Sequence, residues 1–249
     1  MLNNATRKDR YNMTNKNLNR RHFLGTTGIA TAGILAGAKP VQAADVPASG
    51  NKKVRIVAIC GSHRKGKTTA TALQMALDSA KTISPNIETE LIELMDYKLE
   101  PAVPGGTAMD DYDKINAKIT DPAVGGIIFG SPVYFSNMSS LMKMFIEHFG
   151  PYKKNGALSN KAAGVLTVAG ARNGGQEAVG QSIMAALLGV EMIMVGDGRP
   201  TGHSGATLWN NSKDETTKDN ITLDEFGCAT AKGLGKRIAE VALRMSTKV

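Results

Sequence analysis

The segment from Lys53 to Thr69, KVRIVAICGSHRKGKTT, places an apolar strand, a tight turn and a helix start in direct succession. Val54 to Cys60 is an apolar run typical of a buried strand, and apolar residues recur at helical spacing from Ala70 onward. The loop between them is rich in cations and hydrogen-bond donors. Because the first turn of a helix has unpaired N–H groups and the positive end of its dipole, such a loop is suited to an anion. The segment therefore predicts a phosphate site.

Strand and helix patterns alternate through the rest of the chain. After the first strand, strands are expected at 87–94, 124–130, 161–169 and 191–195. Helices are expected at 68–82, 110–119, 139–149, 177–188 and 223–245, with loops at 96–108, 150–160 and 196–220. This alternation predicts an α/β fold, a doubly wound five-stranded parallel sheet of order 2-1-3-4-5. Because ligands bind above the switch point of such a sheet, the loops after strands 1, 3 and 4 should converge on one crevice.

The first 43 residues differ from the rest of the chain. Arg20 and Arg21 precede a mildly apolar run, 23–38, that is too short to span a bilayer comfortably, and Val41-Gln42-Ala43 offers small residues for cleavage. This order resembles a twin-arginine signal peptide. It predicts a signal at 1–43, a linker at 44–52, one domain at 53–249, use of the twin-arginine export machinery and a periplasmic location.

Charge and cysteine content narrow the function further. The formal charge is +8, but residues 1–43 hold seven cations against Asp9, a net of +6, which leaves +2 for the remainder. The folded part therefore has no nucleic-acid footprint. The chain has two cysteines, Cys60 and Cys228, which we expect to be buried free thiols, and no metal-ligand spacing occurs.

Two classes of phosphate ligand fit the first loop. Residues 61–68 match the P-loop pattern G-x-x-x-x-G-K-[ST] of nucleotide hydrolases. Such an enzyme also needs an acidic residue for magnesium after a strand, yet the third strand ends in Gly130-Ser131-Pro132 and only Asp197 could substitute. A flavin instead needs backbone polar groups along one ring edge and apolar side chains over its faces. Residues 131–138 supply both, and Gly174-Gly175 would let the backbone approach the ring.

Three segments in this order, GSHRKGKTT, GSPVYFSNMSSLMKMFIEH and GARNGGQEAV, resemble the flavodoxin-like NADPH-dependent FMN reductase superfamily, over about residues 53–245. The resemblance implies an FMN-dependent oxidoreductase that moves electrons from NAD(P)H or another donor to a quinone, flavin or similar small acceptor, or to a redox protein. It also implies a homodimer or homotetramer. A flavodoxin-like electron carrier without substrate turnover is the main alternative, and a P-loop phosphohydrolase is the other. The iron–sulfur branch has a cysteine cluster where Leu99 to Tyr112 has none, so no iron–sulfur cluster is expected.

The resemblance also implies which residues contact FMN, while it assigns no catalytic residue and no metal ligand. Contacts to the phosphate fall to Ser62, Arg64, Lys67, Thr68 and Thr69. Contacts to the ring and ribityl chain fall to Ser131, Pro132, Val133, Tyr134, Phe135 and Asn137. The remaining ring edge falls to Gly174, Gly175 and Gln176. We expect His148 to lie in the core and Trp209 at a subunit interface, while His203 is a candidate for substrate contact.

Overall fold

We describe the fold from a computed structural model, which covers residues 52–103 and 110–246. The strands are β1 (Val54–Cys60), β2 (Ile87–Glu93), β3 (Val124–Tyr134), β4 (Asn137–Met138), β5 (Ala162–Ala169), β6 (Ile193–Met194) and β7 (Ala206–Trp209). The helices are α1 (Thr68–Lys81), α2 (Tyr112–Thr120), α3 (Ser140–Glu147), α4 (Tyr152–Asn155), α5 (Gln176–Leu188) and α6 (Glu225–Ser246). The predicted signal peptide, nearly all of the linker and residues 104–109 of the predicted loop 96–108 lie outside the described residues.

The sheet has the predicted doubly wound topology. Its strands are parallel in the order β2-β1-β3-β5-β6, and among the described strands only the short β4 is antiparallel, in a hairpin with β3. Without β4 in the count, this is the expected order 2-1-3-4-5. Strand β1 pairs with β2 on one side and β3 on the other, so the switch point lies between β1 and β3.

Helices cover both faces of the sheet and create two apolar cores. Residues of α1 and α6 pack on one face with Ile56 and Ala58 of β1, and residues of α2, α3 and α5 pack on the other with Val57 and Ile59. This alternation explains why β1 reads as a continuous apolar run. None of the helices in the described part of the chain has the length and apolar character needed to cross a membrane.

Strand β3 is longer than predicted, because it continues through Pro132 to Tyr134. Proline has no N–H group to donate to a neighbouring strand, so it is disfavoured in a strand that is paired on both sides. Pairing with β1 ends at Gly130, so beyond this residue β3 keeps β5 as its parallel neighbour and tolerates Pro132. The predicted loop therefore begins later, at Phe135 rather than at Ser131.

The far edge of the sheet also differs from the prediction. The expected strand 191–195 is reduced to β6, because Glu191 takes a left-handed conformation (φ 62°) in a turn. The predicted loop 196–220 contains β7, which pairs with β5 from Leu166 to Ala169. Two short strands thus share one edge position beside β5. Two smaller differences are that the predicted loop 150–160 contains α4, which follows Pro151, and that the closing helix begins at Glu225.

Candidate functional site

Four loops meet at the carboxyl edge of the sheet. They are residues 61–67 after β1, 135–136 after β3, 170–175 after β5 and 210–220 after β7. The first three are the loops that the sequence predicted to converge. The fourth lies within the predicted loop 196–220 but was not assigned to the site, because β7 was not predicted.

The first loop leads into a helix whose N-terminus has no side-chain cap. Lys67 precedes α1 and makes no capping hydrogen bond, while Thr68 and Thr69 are buried in the first turn. The Thr69 side chain has no hydrogen-bond partner for Oγ1, although the residue is only 1% exposed. Ser62 Oγ accepts a hydrogen bond from the backbone N–H of Arg64 (3.1 Å), which shapes the turn. A buried hydroxyl and an uncapped helix start therefore lie together where an anion was predicted.

The cations of this loop face carboxylates. The Arg64 guanidinium lies 2.6 Å from Asp219 Oδ1, and Lys67 Nζ lies 3.8 Å from Asp219 Oδ2. Lys65 pairs with Asp96, which raises the pKa of this lysine through a hydrogen bond. The loop backbone is engaged as well, because Gly66 N–H donates to Glu93 Oε2 at 2.9 Å.

Cys60 ends β1 directly beneath the loop. Burial raises the pKa of its thiol from 9.0 to about 12, and Glu93 adds to this rise, whereas a backbone hydrogen bond from Ser62 opposes it. The thiol therefore stays protonated at neutral pH and supplies no anionic nucleophile. Cys60 and Cys228 are both buried and free, as predicted.

The turn after β3 presents two aromatic side chains to solvent. Tyr134 is 41% exposed and Phe135 is fully exposed at 106%. Phe135 and Ser136 both have positive φ values, 50° and 57°, which non-glycine residues adopt only under constraint. The His63 ring lies 6.1 Å from the Tyr134 ring, so this turn borders the first loop. Neither aromatic side chain belongs to the hydrophobic core.

Two buried serines fix this turn to the first loop. Ser131 Oγ accepts a hydrogen bond from the backbone N–H of Ser139 (3.0 Å) and donates to the carbonyl of Pro132 (2.8 Å). Ser139 Oγ donates to the carbonyl of Gly61 at 2.6 Å and caps α3 by accepting from Met142 N–H at 3.0 Å. Both hydrogen bonds of the Ser131 hydroxyl are thus made within the protein, and the residue is fully buried.

The glycine-rich loop after β5 touches the turn after β3. Gly175 has φ 99°, and a Cβ atom placed on it would lie 3.2 Å from Ser136 Cα. Gln176 was predicted in this loop but begins α5, where its side chain is buried. Its Nε2 donates to the carbonyls of Ala171 (3.1 Å) and Leu208 (3.3 Å), so it joins this loop to β7. Its Oε1 atom has no hydrogen-bond partner.

The fourth loop adds polar groups that sequence reasoning did not assign to the site. Within residues 52–103 and 110–246, the buried side-chain polar atoms without a partner are Thr69 Oγ1, Gln176 Oε1 and Asn210 Oδ1. All three belong to residues at the carboxyl edge of the sheet. Asn210 follows β7, and its backbone N–H donates to Ala169 at 2.8 Å. Arg172 lies 5.9 Å from the centre of the Trp209 ring, so Trp209 borders the glycine-rich loop.

The remaining predicted residues fall into clear environments. Asn137 is exposed and accepts a hydrogen bond from Met138 N–H (2.8 Å), and Val133 is half-buried against the core. His148 is buried, stacks on Tyr112 at 4.3 Å between ring centres and bonds to the Glu100 carbonyl at 2.9 Å, which confirms its core role.

The Asp197 carboxylate faces His203 rather than the first loop. Its oxygens bond the backbone N–H of His203 (2.5 Å) and the His203 ring (3.3 Å). The Asp197 carboxylate thus joins the two ends of a turn in the segment between β6 and β7. Asp197, which the sequence analysis considered as a magnesium ligand for the P-loop alternative, is therefore bonded to His203.

Comparison with known proteins identifies the family. Residues 54–206 match the family model described as NADPH-dependent FMN reductase. The chain is 35% identical over 196 residues to an iron–sulfur flavoprotein of Methanocaldococcus jannaschii, covering 76% of this chain and 97% of the relative. It is 32% identical over 197 residues to the iron–sulfur flavoprotein of Methanosarcina thermophila, covering 76% and 95%.

Solved structures show the same fold at low sequence identity. RosB with bound 8-demethyl-8-formylriboflavin-5'-phosphate superposes with a TM-score of 0.56 at 15% identity, over 76% of this chain and 79% of that one. A flavodoxin, WrbA-like protein from Agrobacterium tumefaciens gives 0.50 at 16% identity, over 76% and 97%. The sheet order and these neighbours establish a flavodoxin-like fold. The family model matches more than half of the chain and two relatives are more than 30% identical to it, so the chain belongs to the NADPH-dependent FMN reductase family.

Proposed function

We propose that the chain binds FMN at the carboxyl edge of its sheet and works as an FMN-dependent oxidoreductase. The phosphate would be held by the first loop and the N-terminus of α1, through Arg64, Lys67 and Thr69. The ring would lie against Tyr134 and Phe135, with the glycine-rich loop at its other edge. When bound, FMN supplies the redox chemistry by accepting and donating electrons or hydride.

The observation that carries this proposal is the unpaired Thr69 hydroxyl at the uncapped start of α1. A buried polar atom without a partner costs on the order of 1–3 kcal/mol. A phosphate oxygen would satisfy this hydroxyl together with the first N–H groups of the helix, beside two cations. The donor set of the loop therefore fits a phosphorylated cofactor.

The aromatic turn supports a flat ring in addition to the phosphate. Phe135 is fully exposed, and contact between its apolar ring and water is unfavourable. A flat ring system stacked on Phe135 would remove that surface from water. The positive φ values at Phe135 and Ser136 persist only because the surrounding structure holds this turn in a defined shape. In this proposal the protein binds, orients and shields the cofactor, and no side chain is assigned as an acid, base or nucleophile.

We further propose that the chain uses flavin without an iron–sulfur cluster. Such clusters are held by about four thiolates, and the whole sequence has two cysteines. Residues 1–43 would direct export by the twin-arginine route to the periplasm, where NAD(P)H is scarce, so a quinol or a redox protein is our proposed donor. A small quinone or flavin is the proposed acceptor, and a homodimer or homotetramer the proposed assembly.

The first test is the absorption spectrum of the full-length protein as purified, which should show an oxidised flavin that is released as FMN on denaturation. Thr69→Val should lower the FMN content several-fold. Thr71→Val is the matched control, because Thr71 is exposed on the same helix and its loss should leave the content unchanged. A colourless protein with magnesium-dependent ATP hydrolysis would overturn the proposal in favour of a phosphohydrolase. Steady-state turnover with NADPH or a quinol and a quinone would separate a reductase from an electron carrier.

A further inference from the structure

The carboxylate of Asp219 lies between the two cations assigned to the cofactor phosphate. Its Oδ1 atom is 2.6 Å from the Arg64 guanidinium, and its Oδ2 atom is 3.8 Å from Lys67 Nζ. The Asp219 side chain is 15% exposed, whereas both cations are about half exposed. An oxyanion with one oxygen toward each cation has the arrangement that a phosphate group would adopt there.

The charges around the loop imply that a bound phosphate would compete with the carboxylates for the loop cations. The loop carries three cations, which pair with two carboxylates, Asp96 and Asp219. A third carboxylate, Glu93, accepts a hydrogen bond from the backbone N–H of Gly66. A phosphate that enters without any rearrangement would meet a neutral site and a carboxylate at close range. Because like charges repel strongly at such distances, the phosphate gains the full attraction of the cations only if a carboxylate leaves.

Asp219 is the carboxylate best placed to leave. Glu93 belongs to β2 and Asp96 to the helical turn directly after it, so both are fixed by the sheet. Asp219 follows a segment, residues 212–218, whose described side-chain hydrogen bonds stay within that segment, mainly around Asp214 and Thr217. The segment can therefore shift as a unit when the contacts to Arg64 and Lys67 are released.

We propose that Asp219 competes with the cofactor phosphate for Arg64 and Lys67, and that it thereby sets how strongly the site prefers FMN over riboflavin. This inference rests on the proposed function, because it concerns the same phosphate loop. Binding of the phosphate displaces the Asp219 carboxylate and moves the 212–218 segment away from the loop. Riboflavin has no phosphate and leaves the Asp219 contacts in place.

The test compares flavin affinities of the full-length protein and its Asp219→Asn variant after removal of bound flavin. Asparagine keeps the shape and tolerates the positive φ of 61° at this position, so the fold should be retained. Quenching of flavin fluorescence gives Kd for FMN and for riboflavin. We expect Asp219→Asn to lower Kd for FMN by about tenfold and to change Kd for riboflavin by less than about twofold.

Glu215→Gln is the matched control on the same segment. It removes the same charge, but Glu215 is 87% exposed and pairs with Lys218 rather than with the loop. If Glu215→Gln gives an equal gain in FMN affinity, the effect is one of overall charge and the inference is overturned. Asp219→Ser provides a second variant with a smaller side chain, and it should show the same direction of change.

The remaining outcomes separate this inference from the proposed function. If the wild-type protein binds FMN and Asp219→Asn binds it equally or more weakly, Asp219 orients Arg64 or has no role, and the inference fails while the function stands. An equal gain for riboflavin also overturns the inference, because the phosphate would not be involved. If the wild-type protein binds neither flavin, the proposed function fails and the inference fails with it.

Discussion

The buried Ser139 hydroxyl joins the N-terminus of α3 to the backbone of the phosphate loop. It donates to the Gly61 carbonyl at 2.6 Å and accepts from Met142 N–H at 3.0 Å, and the residue is fully buried. Ser139→Ala removes both hydrogen bonds without adding volume. The Gly61 carbonyl loses this donor, and the first turn of α3 loses its cap.

The expected cost follows from these two losses. An N-cap serine replaced by alanine costs about 1 kcal/mol, and a buried acceptor that loses its donor costs at least about 1 kcal/mol more. The free energy of unfolding should therefore fall by about 2 kcal/mol. For a domain of this size, a loss of that magnitude lowers Tm by about 4–8 °C.

Chemical denaturation followed by circular dichroism measures this change, and Ser140→Ala is the matched control. Ser140 is the next residue, is exposed and contacts His63 at 3.3 Å, so its replacement should cost less than about 0.5 kcal/mol. FMN affinity should also fall in Ser139→Ala, because the Gly61 turn loses its anchor. Equal stabilities for the two variants would refute the reasoning, since the buried hydroxyl would then contribute no more than an exposed one.

Three further predictions concern other parts of the site. Gly175→Ala should destabilise the fold by about 1–2 kcal/mol and lower FMN content, because its φ of 99° disfavours a side chain and the new Cβ would meet Ser136, whereas Gly170→Ala has open space and should do neither. Phe135→Ala should leave the unfolding free energy within about 0.5 kcal/mol but weaken FMN binding, as measured by flavin fluorescence. Burial raises the pKa of Cys60 from 9.0 to about 12, so its contribution to stability is complete below pH 9 and is lost as the pH rises toward 12. Unfolding free energies measured at several pH values above about 8 should therefore fall by up to about 1.4 kcal/mol per pH unit from this group, and less steeply in Cys60→Ala.

The sequence predicted the parts of the fold that local patterns encode. Strand β1 and the start of α1 were predicted to the residue, because an apolar run, a Gly-Ser turn and helical periodicity follow one another there. The alternation of strands and helices was sufficient to predict the sheet order, since parallel crossovers of one hand allow few arrangements. The same local signals identified Phe135 and Gly175 as loop residues.

The far edge of the sheet could not be predicted in the same way. Ala206 to Trp209 is a four-residue strand in a polar surrounding, and it becomes a strand only by pairing with Leu166 to Ala169 about 40 positions earlier. Such a partner is a tertiary contact that no local pattern records. Without β7, the prediction did not place the residues that follow it at the carboxyl edge of the sheet, so Asn210 and Asp219 were not assigned to the site.

This omission explains why the first loop looked more electropositive in the sequence than it is in the fold. The loop has three cations in the sequence, and two of them, Arg64 and Lys67, were predicted to contact the phosphate. Asp96, which opposes Lys65, lies in the turn after β2. Asp219, which opposes Arg64 and Lys67, lies 155 and 152 positions further along the chain. A cationic loop motif therefore predicts which groups can contact a phosphate. The phosphate affinity also depends on the carboxylates that the fold places beside those groups. For this chain the preference for a phosphorylated flavin should thus be tuned from the loop after β7 rather than within the motif itself.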